Sequence, residues 1–268
     1  MNTQTDTNRK GLKVLAIGNS NTVSATRQLC PVADSLGLKD FTLRVLYRGD
    51  SDLETHIHFA RSGEPGFLYF KPTVDRYYAD PNDLKKFSVW MGDEDWDIIV
   101  LQQGSISCGF PEEFQPWLDE TIEIVKQHHP KARLMFHMMG PYAQDCKYEK
   151  FGRFDFSQEK MYRKICDSVQ QVILPHPAFE KLIPSGTMMQ SLRSSSYGDG
   201  FHVDDRIHLN RMGEYATAVM WYSVLTGQPV DQLTYHPEDV PAEFMEQVKI
   251  LIPKVLAAPF TLVDCSHF

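Results

Sequence analysis

The chain has 268 residues, of which 42% are hydrophobic and 23% charged, and its formal net charge is −8. That length supports one large globular domain with a substantial buried core. The acidic balance disfavours general nucleic-acid binding, because phosphate backbones repel such a surface and no Lys/Arg run offsets it. No stretch approaches the roughly 20 continuous apolar residues of a membrane span, so no membrane association is expected. The opening MNTQTDTNRKGLK is polar and carries no apolar signal segment. Cytoplasmic placement is therefore the default expectation, with a secreted or periplasmic one if the sequence is a trimmed form. Cys30, Cys108, Cys146, Cys166 and Cys265 are scattered, odd in number and form no C-x-x-C pair. They are expected to be reduced thiols packed as small apolar groups.

In chain order, residues 1–12 read as a weakly held leader. The run KVLAIG (13–18) predicts a strand that ends in glycine, followed by a tight turn and a helix. Further strands are predicted at 41–47, 97–102, 133–139 and 180–183. The last two are closed by Gly140-Pro141 and Pro184-Ser185-Gly186. Helical spacing of apolar residues predicts helices over 113–128, 158–174, 211–225 and 240–256. Apolar strands alternating with amphipathic helices predict a parallel sheet covered on both faces. The expected fold is a three-layer α/β/α sandwich with a parallel, flavodoxin-like sheet of about five strands. Residues 52–95 are too long for a simple crossover and rich in aromatics. They read as an inserted, lid-like segment or hairpin within a single domain over 13–268. Phe67, Tyr69, Phe70, Tyr77, Tyr78 and Trp90 are read there as core first and as a sugar-stacking platform second.

Open α/β sheets bind ligands beyond the carboxyl ends of their strands. After the first strand comes Gly18-Asn19-Ser20-Asn21, which puts a serine at a strand-to-helix turn. Ser20 there is either a helix N-cap or a nucleophile with its own N–H ready for an oxyanion. Near the C-terminus stands Asp205-Arg206-Ile207-His208-Leu209-Asn210, followed by Gly213 and a helix. An imidazole held by a carboxylate is what a serine hydroxyl needs to become a nucleophile at neutral pH.

Strand-G-N-S at the start and D-x-x-H-x-N-x-x-G near the end resemble the first and last sequence blocks of the SGNH (GDSL-like) hydrolase family. The resemblance spans residues 13–227. It implies a flavodoxin-like sandwich, a Ser–His–Asp triad and ester hydrolysis, often of acetyl groups on carbohydrates, with no metal or other cofactor. Carried over by position, Ser20 is the nucleophile, His208 the general base and Asp205 its orienter. Gly49, after the second strand, matches the block whose glycine N–H joins Ser20 in the oxyanion hole. The third block departs from the family. Where an Asn is expected, the chain has Gln102-Gln103-Gly104-Ser105, and Gln103 (Gln102 second) is the expected substitute donor. The first block departs too, with Asn19 where an Asp is commoner.

Asp199-Gly200-Phe201-His202 is a rival D-x-x-H, set second because Leu209, Asn210 and Gly213 keep Asp205/His208 in family register. Possible metal ligands at His56/His58 and at His202, Asp204 and His208 rank below ordinary packing and polar roles. His128-His129 reads as a helix end with a dipole contact, and His137 as a packed strand residue. The expected partner is a small-molecule or carbohydrate ester. Two other readings stay open. One is a flavodoxin-like phosphate- or nucleotide-binding module using Ser20, Asn21, Thr22, Ser24 and Thr26. The other is a hydrolase scaffold without activity.

Overall fold

The computed structural model describes residues 11–267. Most of the leader expected at 1–12 lies outside them. Leu12, which is described, already joins the fold, its carbonyl accepting from Thr42 N.

Strand β1 (Lys13–Gly18) is the hub. Its apolar side chains alternate between faces: Val14 and Ala16 enter one core, Leu15 and Ile17 the other. A strand with both faces buried must be nearly all apolar, as KVLAIG is. β1 pairs in parallel with β2 (Thr42–Tyr47) and β5 (Ile98–Leu101). β5 continues in parallel to β6 (Arg133–His137), and β6 to β7 (Phe179–Ile183). This parallel core meets the expectation.

The inserted segment changes the sheet. It supplies β3 (Pro65–Phe70) and β4 (Lys85–Lys86), both antiparallel to their neighbours. The sheet thus has seven strands in the order β4-β3-β2-β1-β5-β6-β7, mixed rather than all parallel. The segment extends the sheet by two antiparallel strands. Phe67, Tyr69 and Trp90 are buried in the second core, and Tyr77 hydrogen-bonds the Thr26 hydroxyl. Tyr78 is exposed.

Helices α1 (Ser20–Thr26) and α2 (Leu29–Ser35) cover the first face with α6 (Ser185–Leu192), α7 (Arg211–Thr226) and α8 (Ala242–Ala257). α3 (Leu53–Ser62), α4 (Trp117–His128) and α5 (Gln158–Ser168) cover the other. α7 contributes more buried residues to the first core than any other helix, Tyr215, Val219, Trp221 and Val224 among them. The five cysteines are free thiols, all buried. No helix among the described residues is long and apolar enough to cross a membrane.

Candidate active site

The loops after β1, β2, β5, β6 and β7 meet at one edge of the sheet, where Ser20 sits. Asn19 caps α1: its Oδ1 accepts from Asn21 N at 3.0 Å. Ser20 is therefore the first residue of the helix and not its cap. Its hydroxyl has no hydrogen-bond partner among the described residues. Asn19 Nδ2 donates to Ser51 O at 3.0 Å, tying this turn to the loop after β2. Gly18 has to be glycine, since a Cβ there would lie 2.2 Å from Thr22 Oγ1 and 2.8 Å from Gln102 Cγ.

The C-terminal motif has a physical account, position by position. His208 Nδ1 stands 2.5 Å from Asp205 Oδ2. Asp205 Oδ1 accepts from Ile207 N at 2.8 Å and His208 N at 2.9 Å. Burial raises the Asp205 carboxyl, but these three hydrogen bonds outweigh it and hold the group below the usual carboxylate range. Arg206 turns the corner with φ +62°, and its guanidinium grips Asp145 at 2.6 Å. Asn210 caps α7, its Oδ1 accepting from Met212 N and Gly213 N. A Cβ on Gly213 would lie 2.8 Å from Phe201 O, so glycine lets the loop pack onto the helix. The turn is anchored to the β6 loop by Ala143 N donating to Arg206 O at 3.0 Å.

His208 and Asp205 are joined, and both side chains are close to half exposed, at 43% and 44%. Ser20 and His208 are not hydrogen-bonded to each other. Their sequence neighbours Asn21, Ile207 and Leu209 line one small chamber, which Ser20 and His208 themselves do not. Active sites without substrate often hold such contacts long.

The rival pair is built differently. Asp199 accepts from Arg193 Nε (2.7 Å), Gln144 N (2.7 Å) and Gln158 Nε2 (3.1 Å). His202 Nδ1 lies 3.9 Å from it, outside hydrogen-bond range. The His202 side chain is only 2% exposed. Burial foremost, with Arg193 nearby, pushes its pKa down to about 4. An imidazole that does not hold a proton near neutral pH is a poor general base.

Both glutamines expected near the oxyanion are bound into the wall. Gln103 Oε1 accepts from Leu53 N (3.1 Å) and Gly104 N (2.8 Å), and its Nε2 donates to Glu113 O (2.8 Å). Gln102 Nε2 donates to Asn19 Oδ1 at 2.7 Å, and its Oε1 accepts from Thr22 and His137. Through these contacts Gln103 holds the start of α3, and Gln102 the turn that carries Ser20. Gly49 stands exposed in the turn after β2. Nothing in the sequence near either glutamine revealed those long-range partners.

A cleft of about 390 Å³ opens beside the turn that carries Ser20. Asp50, Ser51, Ser105, Ser107, Lys150 and Arg153 line it. Of the hydroxyls in the phosphate-loop reading, those of Thr22, Ser24 and Thr26 are buried, while Ser20 is partly exposed. His56 is buried and accepts or donates at 3.0 Å with Ser51 Oγ, while His58 is exposed. His129 meets Met91 O at 3.0 Å. Among the described residues no group of three His, Cys, Asp or Glu is arranged to hold a metal ion.

Comparison with known proteins agrees with this architecture. A protein from Bacteroides uniformis ATCC 8492, of the DUF4886 family, superimposes with TM-score 0.88 at 27% identity, covering 95% of this chain and 98% of that one. A proposed SGNH hydrolase from Slackia heliotrinireducens gives TM-score 0.54 at 18% identity, covering 79% of this chain and 97% of that one. The second likeness is one of fold: a mostly parallel sheet flanked by helices, as in SGNH hydrolases. No curated protein matches the sequence. The family model described as "Domain of unknown function (DUF4886)" matches residues 13–250, and the chain belongs to that family.

Proposed function

We propose that this chain is a serine esterase that removes small acyl groups, acetyl above all, from hydroxyl-rich alcohols such as carbohydrates. The observation that carries the reading is the half-exposed Asp205–His208 clasp, in a chain whose first strand-to-helix turn presents an unpartnered Ser20 hydroxyl. Asp205 holds the hydrogen of His208 on Nδ1, so Nε2 is the basic nitrogen. A rotation of the exposed imidazole brings Nε2 to Ser20 Oγ. His208 takes the serine proton as Oγ attacks the ester carbonyl. The carbonyl oxygen gains the negative charge and accepts from the backbone N–H groups of Ser20 and Gly49. The intermediate collapses, the C–O bond to the alcohol breaks, and the imidazolium returns its proton to the leaving oxygen. Water then attacks the acyl-serine by the same route.

The polar lining of the adjoining cleft supports a hydroxyl-rich alcohol and offers little apolar wall for a long acyl chain. The test is turnover of p-nitrophenyl esters of increasing acyl length, beside acetylated sugars. The expected result is hydrolysis of acetyl esters, falling off with chain length and absent in Ser20→Ala. A folded protein that hydrolyses none of them is the inactive scaffold instead.

A further inference from the structure

Behind the Asp205–His208 turn lies a small chamber walled in part by Asn21, His137, Ser185, His202, Ile207 and Leu209. Three of these residues carry buried polar atoms without a hydrogen-bond partner among the described residues: His137 Nε2, Ser185 Oγ and His202 Nδ1. The residues are 3%, 1% and 8% exposed. Native interiors rarely leave one such atom unpaired, and here three border one space.

The state of His137 follows from a backbone amide. Asn21 N–H is a donor only, so the atom of Asn19 that it meets is the oxygen. Gln102 must then present its nitrogen to that oxygen, at 2.7 Å. That turns Gln102 Oε1 toward Thr22 Oγ1 (2.6 Å) and His137 Nδ1 (3.2 Å). His137 Nδ1 therefore carries the ring hydrogen, and Nε2 is a bare lone pair. Burial pushes the His137 pKa down to about 3, so that lone pair stays unprotonated at neutral pH.

The lone pair requires a donor, while the Ser185 hydroxyl can offer a proton of its own. A guest that donates and accepts satisfies both. The chamber measures about 20 Å³, and one water requires roughly 10–15 Å³. We propose that this chamber is a binding site for a single internal water, which donates to His137 Nε2 and accepts from Ser185 Oγ, with His202 Nδ1 as third partner. The water anchors the far end of the His137–Gln102–Asn19 chain, whose near end is the turn carrying Ser20.

The site is tested without any assay of activity, so its failure is separate from failure of the esterase reading. A high-resolution crystal structure of the unmodified protein is expected to show one density peak within hydrogen-bond distance of His137 Nε2 and Ser185 Oγ. Thermal unfolding of Ser185→Ala supplies the second readout. If the water is bound, the variant strips it of a partner and Tm falls. If the chamber is dry, the variant removes an orphaned hydroxyl, and Tm holds or rises. An empty chamber, or a Tm that holds or rises, overturns the proposal.

Discussion

Two D-x-x-H turns stand six residues apart in this chain, and they are chemically opposite. Asp205/His208 is a joined pair at the surface, its carboxylate held by two backbone amides and the ring. Asp199/His202 is not joined: the ring is buried, and the aspartate serves Arg193 and the Gln144 and Gln158 amides. The sequence pattern is the same, and the surroundings decide the role. Asp199 turns its oxygens to the arginine and two amides and stands 3.9 Å from His202, and a desolvated imidazole takes up a proton only well below neutral pH.

The widest separation between the two turns is in catalysis. His208→Ala or Ser20→Ala should lower kcat/KM for an acetyl ester about 10⁴-fold, or about 5.4 kcal/mol of transition-state stabilisation, with an unchanged far-UV spectrum. His202→Ala, compared per folded molecule, should stay within a few-fold of the parent. Equal losses from the two histidines would erase the distinction.

In stability the order reverses. Asp199→Ala leaves the buried Arg193 guanidinium without its carboxylate, which costs about 3–5 kcal/mol. Asp205→Ala acts on a half-exposed group and should cost far less. Urea unfolding of both variants reads the difference directly.

Acid pH extends the comparison to the whole interior. Burial, the largest cause in each, lowers His56 to about 4, His137 to about 3 and His202 to about 4. Above pH 6.5 both folded and unfolded forms of these rings are neutral, and they contribute no pH dependence. As pH falls from 6.5 toward 4 the unfolded chain binds protons that the native one refuses, so stability falls. The limiting slope for three such rings is about 4 kcal/mol per pH unit. Urea midpoints at pH 7 and pH 5 check this, and a flat profile contradicts it. Replacing His202 by Phe should shallow the slope.

The smallest effect sharpens the oxyanion site. Gln103→Ala removes the acceptor for Leu53 and Gly104 N–H and should cost about 1–3 kcal/mol of stability, with kcat within a few-fold. A fall in kcat of about 10²-fold would restore Gln103 as an oxyanion donor.

Much of this was legible in the sequence. The five parallel strands are mostly short apolar runs closed by glycine, proline or polar residues, and their alternation with helices announces a parallel sheet, whereas the strand order does not follow from it. The D-x-x-H-x-N-x-x-G motif could be read because each position acts locally: a paired turn, a cap, a glycine under a loop. What escaped reading is long-range. For the 52–95 segment the sequence leaves a lid and a hairpin both open, because its aromatics are the same whether they face a cleft or a core. Only pairing of β3 with β2 shows which. α6 was missed because Pro184 and Gly186 signal a turn, yet Gly186 is required by close packing on the Met139 carbonyl, 2.3 Å from where a Cβ would stand. The partners of Gln102 and Gln103 lie tens of residues away, apart from the neighbouring Gly104 and Glu113 ten residues on, and no local pattern announces them.

The most direct test of the account is covalent labelling with a fluorophosphonate, read by mass spectrometry on the intact protein and its peptides. The account predicts one label, on Ser20, retained in His202→Ala and lost in His208→Ala. A folded protein that takes no label at Ser20, or one whose labelling depends on His202 and not His208, would contradict it.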